Sequence, residues 1–175
     1  GTYSRLVSVG EHCSSLLPFL DSNRDNNLKP SISLVIPAIE SPDLIVNTSS
    51  VPGIGQSGQS IHVEYTVKND GAGSTNVAGW VDKIYLSATP YVNPLGQGPN
   101  QWPLATITRT SALGGGLSYT HIGDFNIPLS IPTGNYFVVI ISDFNDNVCE
   151  WDNDGNNQKS EYIFIQQPPP ADLVV

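Results

Sequence analysis

Ile61-His62-Val63-Glu64-Tyr65-Thr66-Val67-Lys68 decides the fold. Ile61, Val63, Tyr65 and Val67 fall on one side of an extended chain, and His62, Glu64, Thr66 and Lys68 on the other. Strict alternation of this kind marks a strand with one buried and one wet face. Asn69-Asp70-Gly71 follows, a turn of residues that tolerate positive φ. Trp80 to Leu86 reads as the next strand. Upstream, Asp43-Leu44-Ile45-Val46 opens a strand, and the Gly-, Pro- and Ser-containing stretch 51–60 reads as a turn region.

Downstream, 90–103 reads as a long loop, and Leu104 to Arg109 and Ser118 to Ile127 as strands. Pro128, Pro132 and Gly134 interrupt the chain before Tyr136 to Ser142, whose almost unbroken apolar run suits a central strand. Tyr162 to Ile165 is the last strand, and helical periodicity appears nowhere. About seven short strands separated by turns predict an all-β, immunoglobulin-like β-sandwich, with Trp80 as its core tryptophan. Gly 16 and Pro 14 against Met 0 fit many turns and few helices. Ile61, Val63, Tyr65, Val67, Trp80, Ile84, Tyr136, Val138 and Ile140 are the expected core.

The stretch from Gly134 to Val175 has a weaker echo at the start of the chain. Gly1 and Tyr3 match Gly134 and Tyr136; Asn26, Asn27 and Lys29 match Asn156, Asn157 and Lys159; Asp43, Leu44 and Val46 match Asp172, Leu173 and Val175. The offset is about 130 residues, and self-similarity at a fixed period marks a repeat array. Residues 1–41 then read as the C-terminal strands of a preceding repeat, 42–167 as one complete domain, and 168–175 as a linker and the first strand of the next repeat.

A net charge of −9 argues against nucleic acid as a partner, which calls for a basic footprint. No apolar run reaches the ~20 residues of a membrane helix. Cys13 and Cys149 do not occupy equivalent places in the two copies, so a bridge within each unit is not part of the repeat. Free thiols are the simpler expectation, with a bridge between neighbouring units or between chains as the alternative.

The order of motifs resembles the bacterial cell-adhesion-related domain, CARDB. The residues that carry the resemblance are "PDLIV", "VEYTVKNDGAG", "GWVDKIYLS" and "IPTGNYFVVIISDFNDNVCEWDNDGNN". Asp43, Asn69 to Gly71, Trp80, Asp82, Tyr85, Ser87, Gly134, Tyr136, Asn156 and Asn157 stand at the family's pattern positions. The loop 90–103 departs in length and composition, and the acidic stretch is degraded in the first copy. The resemblance implies an immunoglobulin-like sandwich in tandem within a large bacterial or archaeal surface or secreted protein.

Glu150, Asp152, Asp154, Asn156 and Glu161 stand at positions 1, 3, 5, 7 and 12 of a calcium-loop register, with Gly155 at the sharp turn. Oxygen ligands at alternate positions and a distant bidentate Glu suit calcium. The first ligand is Glu rather than Asp, and the flanks read as strands. The other reading is a solvated turn in which Asn and Asp side chains bond the local backbone. The Asn156-Asn157 pair reads as a structural turn into the last strand. His12, His62 and His121 are scattered, which speaks against zinc. No nucleophile elbow or phosphate loop is present, and the chain reads as non-catalytic.

The expected function is that of a structural or adhesive repeat segment of a large extracellular surface protein or filament, at the cell surface or secreted. Its partners would be neighbouring repeats or identical chains end to end. The alternatives are a carbohydrate- or protein-binding module using Tyr91 and Trp102, and an accessory domain of a secreted hydrolase.

Overall fold

The computed structural model describes residues 40–93, 98–150 and 154–169. The expected flanking repeat pieces, 1–41 and 168–175, fall almost wholly outside them.

Eight strands and one short 3-10 turn make up these residues. They are β1 (Leu44–Ser50), β2 (Ile54–Gln56), β3 (Ser60–Asn69), β4 (Val81–Ser87), β5 (Gln101–Thr108), β6 (Ser118–Asn126), β7 (Gly134–Ile141), the turn Asp154–Asn156, and β8 (Gln158–Gln166). A three-stranded sheet, β1-β3-β6, faces a five-stranded sheet, β2-β8-β7-β4-β5. All pairs are antiparallel except β2 with β8. This is the expected sandwich.

β3 behaves as its alternation requires. Ile61, Val63, Tyr65 and Val67 are buried, while His62 and Glu64 are exposed. The five expected core residues outside β3, Trp80, Ile84, Tyr136, Val138 and Ile140, are all buried. Trp80, only 1% exposed, immediately precedes β4. β7 lies between β4 and β8 and is buried on both faces, which explains its unbroken apolar run. Its outer face packs a second cluster, in which Tyr85, Val92, Val139 and Ile141 lie under the loop that follows β4.

Three boundaries differ from the sequence reading. Part of the stretch read as a turn forms β2, a three-residue edge strand in which Gly55 lets the backbone approach Ile127, Ile163 and Ile165. β5 starts at Gln101 and carries Pro103; an edge strand tolerates a residue that cannot donate to the ladder. β8 starts at Gln158, because polar Gln158, Lys159 and Ser160 still pair with β7.

The termini of the unit lie at opposite poles. β1 starts beside Asn69, the last residue of β3. Asn69 is fully buried and its amide is fully used. Its Oδ1 accepts from the backbone N–H groups of Asp43 and Gly71, and its Nδ2 donates to the carbonyls of Gly73 and Leu113. The incoming chain passes so close that a Cβ on Gly71 would sit 2.3 Å from the Ser41 carbonyl oxygen. β8 ends at the other pole, where Ser57 N–H donates to the Gln166 carbonyl at 2.9 Å, next to the start of β3. The ten residues of β3 set the poles about 30 Å apart.

Candidate functional site

Glu150 and Glu161, the first and last of the sequence-predicted calcium residues, are not gathered around one point. Glu150 is 1% exposed, and its Oε1 accepts from the Leu44 backbone N–H at 2.8 Å. Glu161 lies on β8 and accepts a hydrogen bond from the Ser49 hydroxyl. Leu44 and Ser49 are at the two ends of β1, about 16 Å apart on an extended strand. A twelve-residue loop between helices would fold its first and last ligands together; here the last one is carried off along a strand. Asn156 is exposed, and its Nδ2 donates to Asp43 Oδ1 at 2.9 Å. Asp152 lies outside the described residues, as does the side chain of Asp154. Among the described residues, no three His, Cys, Asp or Glu side chains form a metal-binding group.

These side chains do something else. β1 and β8 run side by side in the same direction at the open edge between the sheets. Asn156 to Asp43, Lys159 Nζ to the Asn47 carbonyl at 2.9 Å, and Ser49 to Glu161 cross from one to the other in order. The first and last strands of the unit are thus stitched together by side chains. The Asn156-Asn157 pair forms the turn into β8, with the Asn157 carbonyl accepting from Ser142 N–H.

Cys149 is disulfide-bonded, which corrects the expectation of a free thiol. The unequal repeat positions of Cys13 and Cys149 speak only against a bridge within a unit. Cys13 lies outside the described residues.

A buried polar network went unread in the sequence. Asp82, fully buried on β4, takes the Tyr65 hydroxyl at 3.1 Å and the Tyr119 hydroxyl at 2.6 Å on Oδ2. Its Oδ1 takes the Ser142 hydroxyl at 3.1 Å. Trp80 Nε1 donates to Tyr119, and the Arg109 guanidinium lies 3.7 Å over the Tyr119 ring. Burial pushes the Asp82 carboxyl above its ordinary range, against the pull of the three hydroxyls. Burial, reinforced by the Asp82 charge, raises both tyrosine hydroxyls. The network ties both sheets together. The signal was present: Asp82 shares parity with Trp80, Ile84 and Leu86, so it faces the core.

Tyr91 and Trp102 do not form one patch. Trp102 is half-buried, packs edge-on against Tyr136 at 5.8 Å, and lies towards the C-terminal pole. Tyr91 is 56% exposed, beside Val92, whose N–H donates to Gln158 Oε1 at the start of β8. It stands at the rim of a cleft of about 300 Å³ shared with Ile141, Asp143, Phe144, Asp146 and Asn157. Asp143 builds that cleft: its carboxylate accepts from the backbone N–H groups of Asn147 at 3.0 Å and Val148 at 2.7 Å. Burial raises the Asp143 carboxyl.

The CARDB family matches residues 41–161. The chain belongs to the CARDB family. In fold it is similar to the CARDB domain of the PF1109 protein from Pyrococcus furiosus, in complex with di-metal ions. The identity is 20% and the TM-score 0.50, over 75% of this chain and 100% of that one. It is also similar to a β-glucosidase from Listeria innocua in complex with glucose, at 17% identity and a TM-score of 0.45, over 71% of this chain and 16% of that one. No curated protein matches. The likeness to the Pyrococcus furiosus domain concerns the fold. The stitched β1–β8 edge, the Asp82 network and the Tyr91 cleft are features of this chain's own residues. None of its helices is long and apolar enough to cross a membrane, among the described residues.

Proposed function

We propose that this CARDB unit is a load-bearing, non-catalytic repeat of an extracellular adhesive or surface protein, joined pole to pole with neighbouring repeats. One observation carries the reading: the chain enters and leaves the sandwich at opposite poles. Units linked in this way extend in a line, whereas termini at one pole would fold the array back on itself.

The strand arrangement suits tension. Pulling on both ends draws β1 out of one pole and β8 out of the other. The β1–β3 and β7–β8 ladders are then loaded in shear, so their bonds share the force instead of opening one at a time. The side-chain stitches between β1 and β8 are loaded the same way. At the C-terminal pole Gln167 N–H is held by Thr133 Oγ1 at 3.1 Å, and Pro168 and Pro169 then stiffen the exit.

The test is small-angle scattering from three copies of residues 40–169 in series. The maximum dimension should grow linearly, by at least the length of one sandwich, about 30 Å, per copy. Growth as a compact globule would refute the linear array.

A further inference from the structure

We propose that the cleft beside Tyr91 is a binding subsite for a neutral sugar ring, one monosaccharide unit of a glycan. This goes beyond the load-bearing role, since the poles and the β1–β8 edge are the same whether the cleft is filled or empty.

The cleft is built rather than incidental. Its volume, about 300 Å³, lies at the lower end of small-molecule sites, which combine apolar walls with a few placed polar groups. Ile141 and Phe144 form the apolar wall, and Phe144 is fixed by Tyr85 on one side and by Lys83 Nζ, 3.7 Å from its ring centroid. Tyr91 offers a ring more than half exposed at the rim. The loop that carries the acidic side bends through two residues at positive φ, Asp143 at 46° and Asp146 at 55°. For non-glycine residues that conformation is uncommon, and such residues gather at ligand sites.

The polar groups select the ligand. Asn157 Oδ1 is buried and has no hydrogen-bond partner. A buried acceptor left unpaired is costly, and a small rotation of the Asn157 side chain, which lines the cleft, would turn it to a ligand hydroxyl. Asp143 spends its carboxylate on the loop backbone, which leaves Asp146, exposed at the cleft, as the second acceptor. No Lys, Arg or His is among the described lining residues, and two carboxylates are, so an anion is disfavoured. An apolar wall does nothing for a bare cation, which wants oxygen on all sides. A neutral pyranose meets both demands: a C–H face for the exposed Tyr91 ring, and hydroxyl donors for Asn157 Oδ1 and Asp146.

Saturation-transfer NMR on the 175-residue chain tests this with glucose, galactose, mannose and N-acetylglucosamine at millimolar concentration, each with its β-linked disaccharide. At least one should bind saturably, and Tyr91→Ala and Asp146→Ala should each weaken it about tenfold or more. Ile122→Ala, on the opposite sheet, should not. Tyr91 and Asp146 are exposed, so both variants should keep the wild-type circular dichroism spectrum; Asp146→Ala, at positive φ, should melt slightly lower but still cooperatively. No binding by any of these sugars, or binding that survives Tyr91→Ala, would overturn the proposal. So would tight calcium binding abolished by Asp146→Ala, which would make the cleft a cation site. None of these outcomes bears on the linear array, which scattering tests separately.

Discussion

Replacing Asp82 by Ala should unfold the sandwich more readily than most single changes. The carboxylate is the common acceptor for three hydroxyls, at 2.6, 3.1 and 3.1 Å. The Asp143 N–H, at 3.4 Å, is too long to add much. An orphaned buried donor costs about 1–3 kcal/mol. Ser142 and the two tyrosines therefore lose several kcal/mol between them. Relief from burying a charge offsets part of this, which leaves a net loss of about 2–4 kcal/mol. Asp82→Ala should fall in that range in urea melts, and Asp82→Asn, which keeps one acceptor, should cost about 1–2 kcal/mol. In a double-mutant cycle, Tyr119→Phe should recover part of the Asp82→Ala loss, since it removes the orphaned donor.

The pH dependence carries a definite sign. Burial raises the Asp82 carboxyl in the folded state above the unfolded value of about 3.9. The folded state binds that proton more tightly, so this contribution to stability is present at low pH and is lost as pH rises through the folded pKa. The stability of the wild type relative to Asp82→Asn should therefore improve as pH falls through the raised folded pKa towards the unfolded value of about 3.9. A loss below about 1 kcal/mol for Asp82→Ala, or a gap that narrows on acidification, would refute the reasoning.

Trp80→Ala should cost about 3–5 kcal/mol in the same melts, because the ring is buried and its N–H is anchored on Tyr119; a loss near zero would mean that the core closes without it. Glu150→Ala should lower the melting temperature by the same amount in calcium and in chelator, because Glu150 holds the start of β1 through Leu44 N–H. A loss seen only with calcium present would make Glu150 a metal ligand.

The sandwich was legible wherever one residue pattern had one physical cause. Period-2 alternation gave β3 and its buried row, and an unbroken apolar run gave β7 its central place. β2 was not legible, because three residues containing a glycine carry too little pattern, and their pairing is with β8, over a hundred residues away. The site residues were harder. The spacing of Glu150 to Glu161 is that of a calcium loop, but spacing assumes that the chain turns back on itself. The pairing of β8 with β7 carries Glu161 to Ser49 instead. Asp82 was readable from its parity with Trp80 and Ile84, but the partners Tyr119 and Ser142 are brought to it only by the facing sheet and by β7. No local pattern marks the cleft, because Tyr91 and Asn157 meet through folding alone.

Single-molecule force spectroscopy with Cys149 reduced tests the load-bearing claim most directly. Handles at Glu40 and Gln167 pull the unit between its poles; handles at Glu40 and Thr110, both at the N-terminal pole, peel its strands apart. Pole-to-pole pulling should give one cooperative rupture at a force several-fold above that of peeling, and Ser49→Ala with Lys159→Ala should lower it. Equal forces in the two geometries, or a pole-to-pole force untouched by the double substitution, would contradict the account.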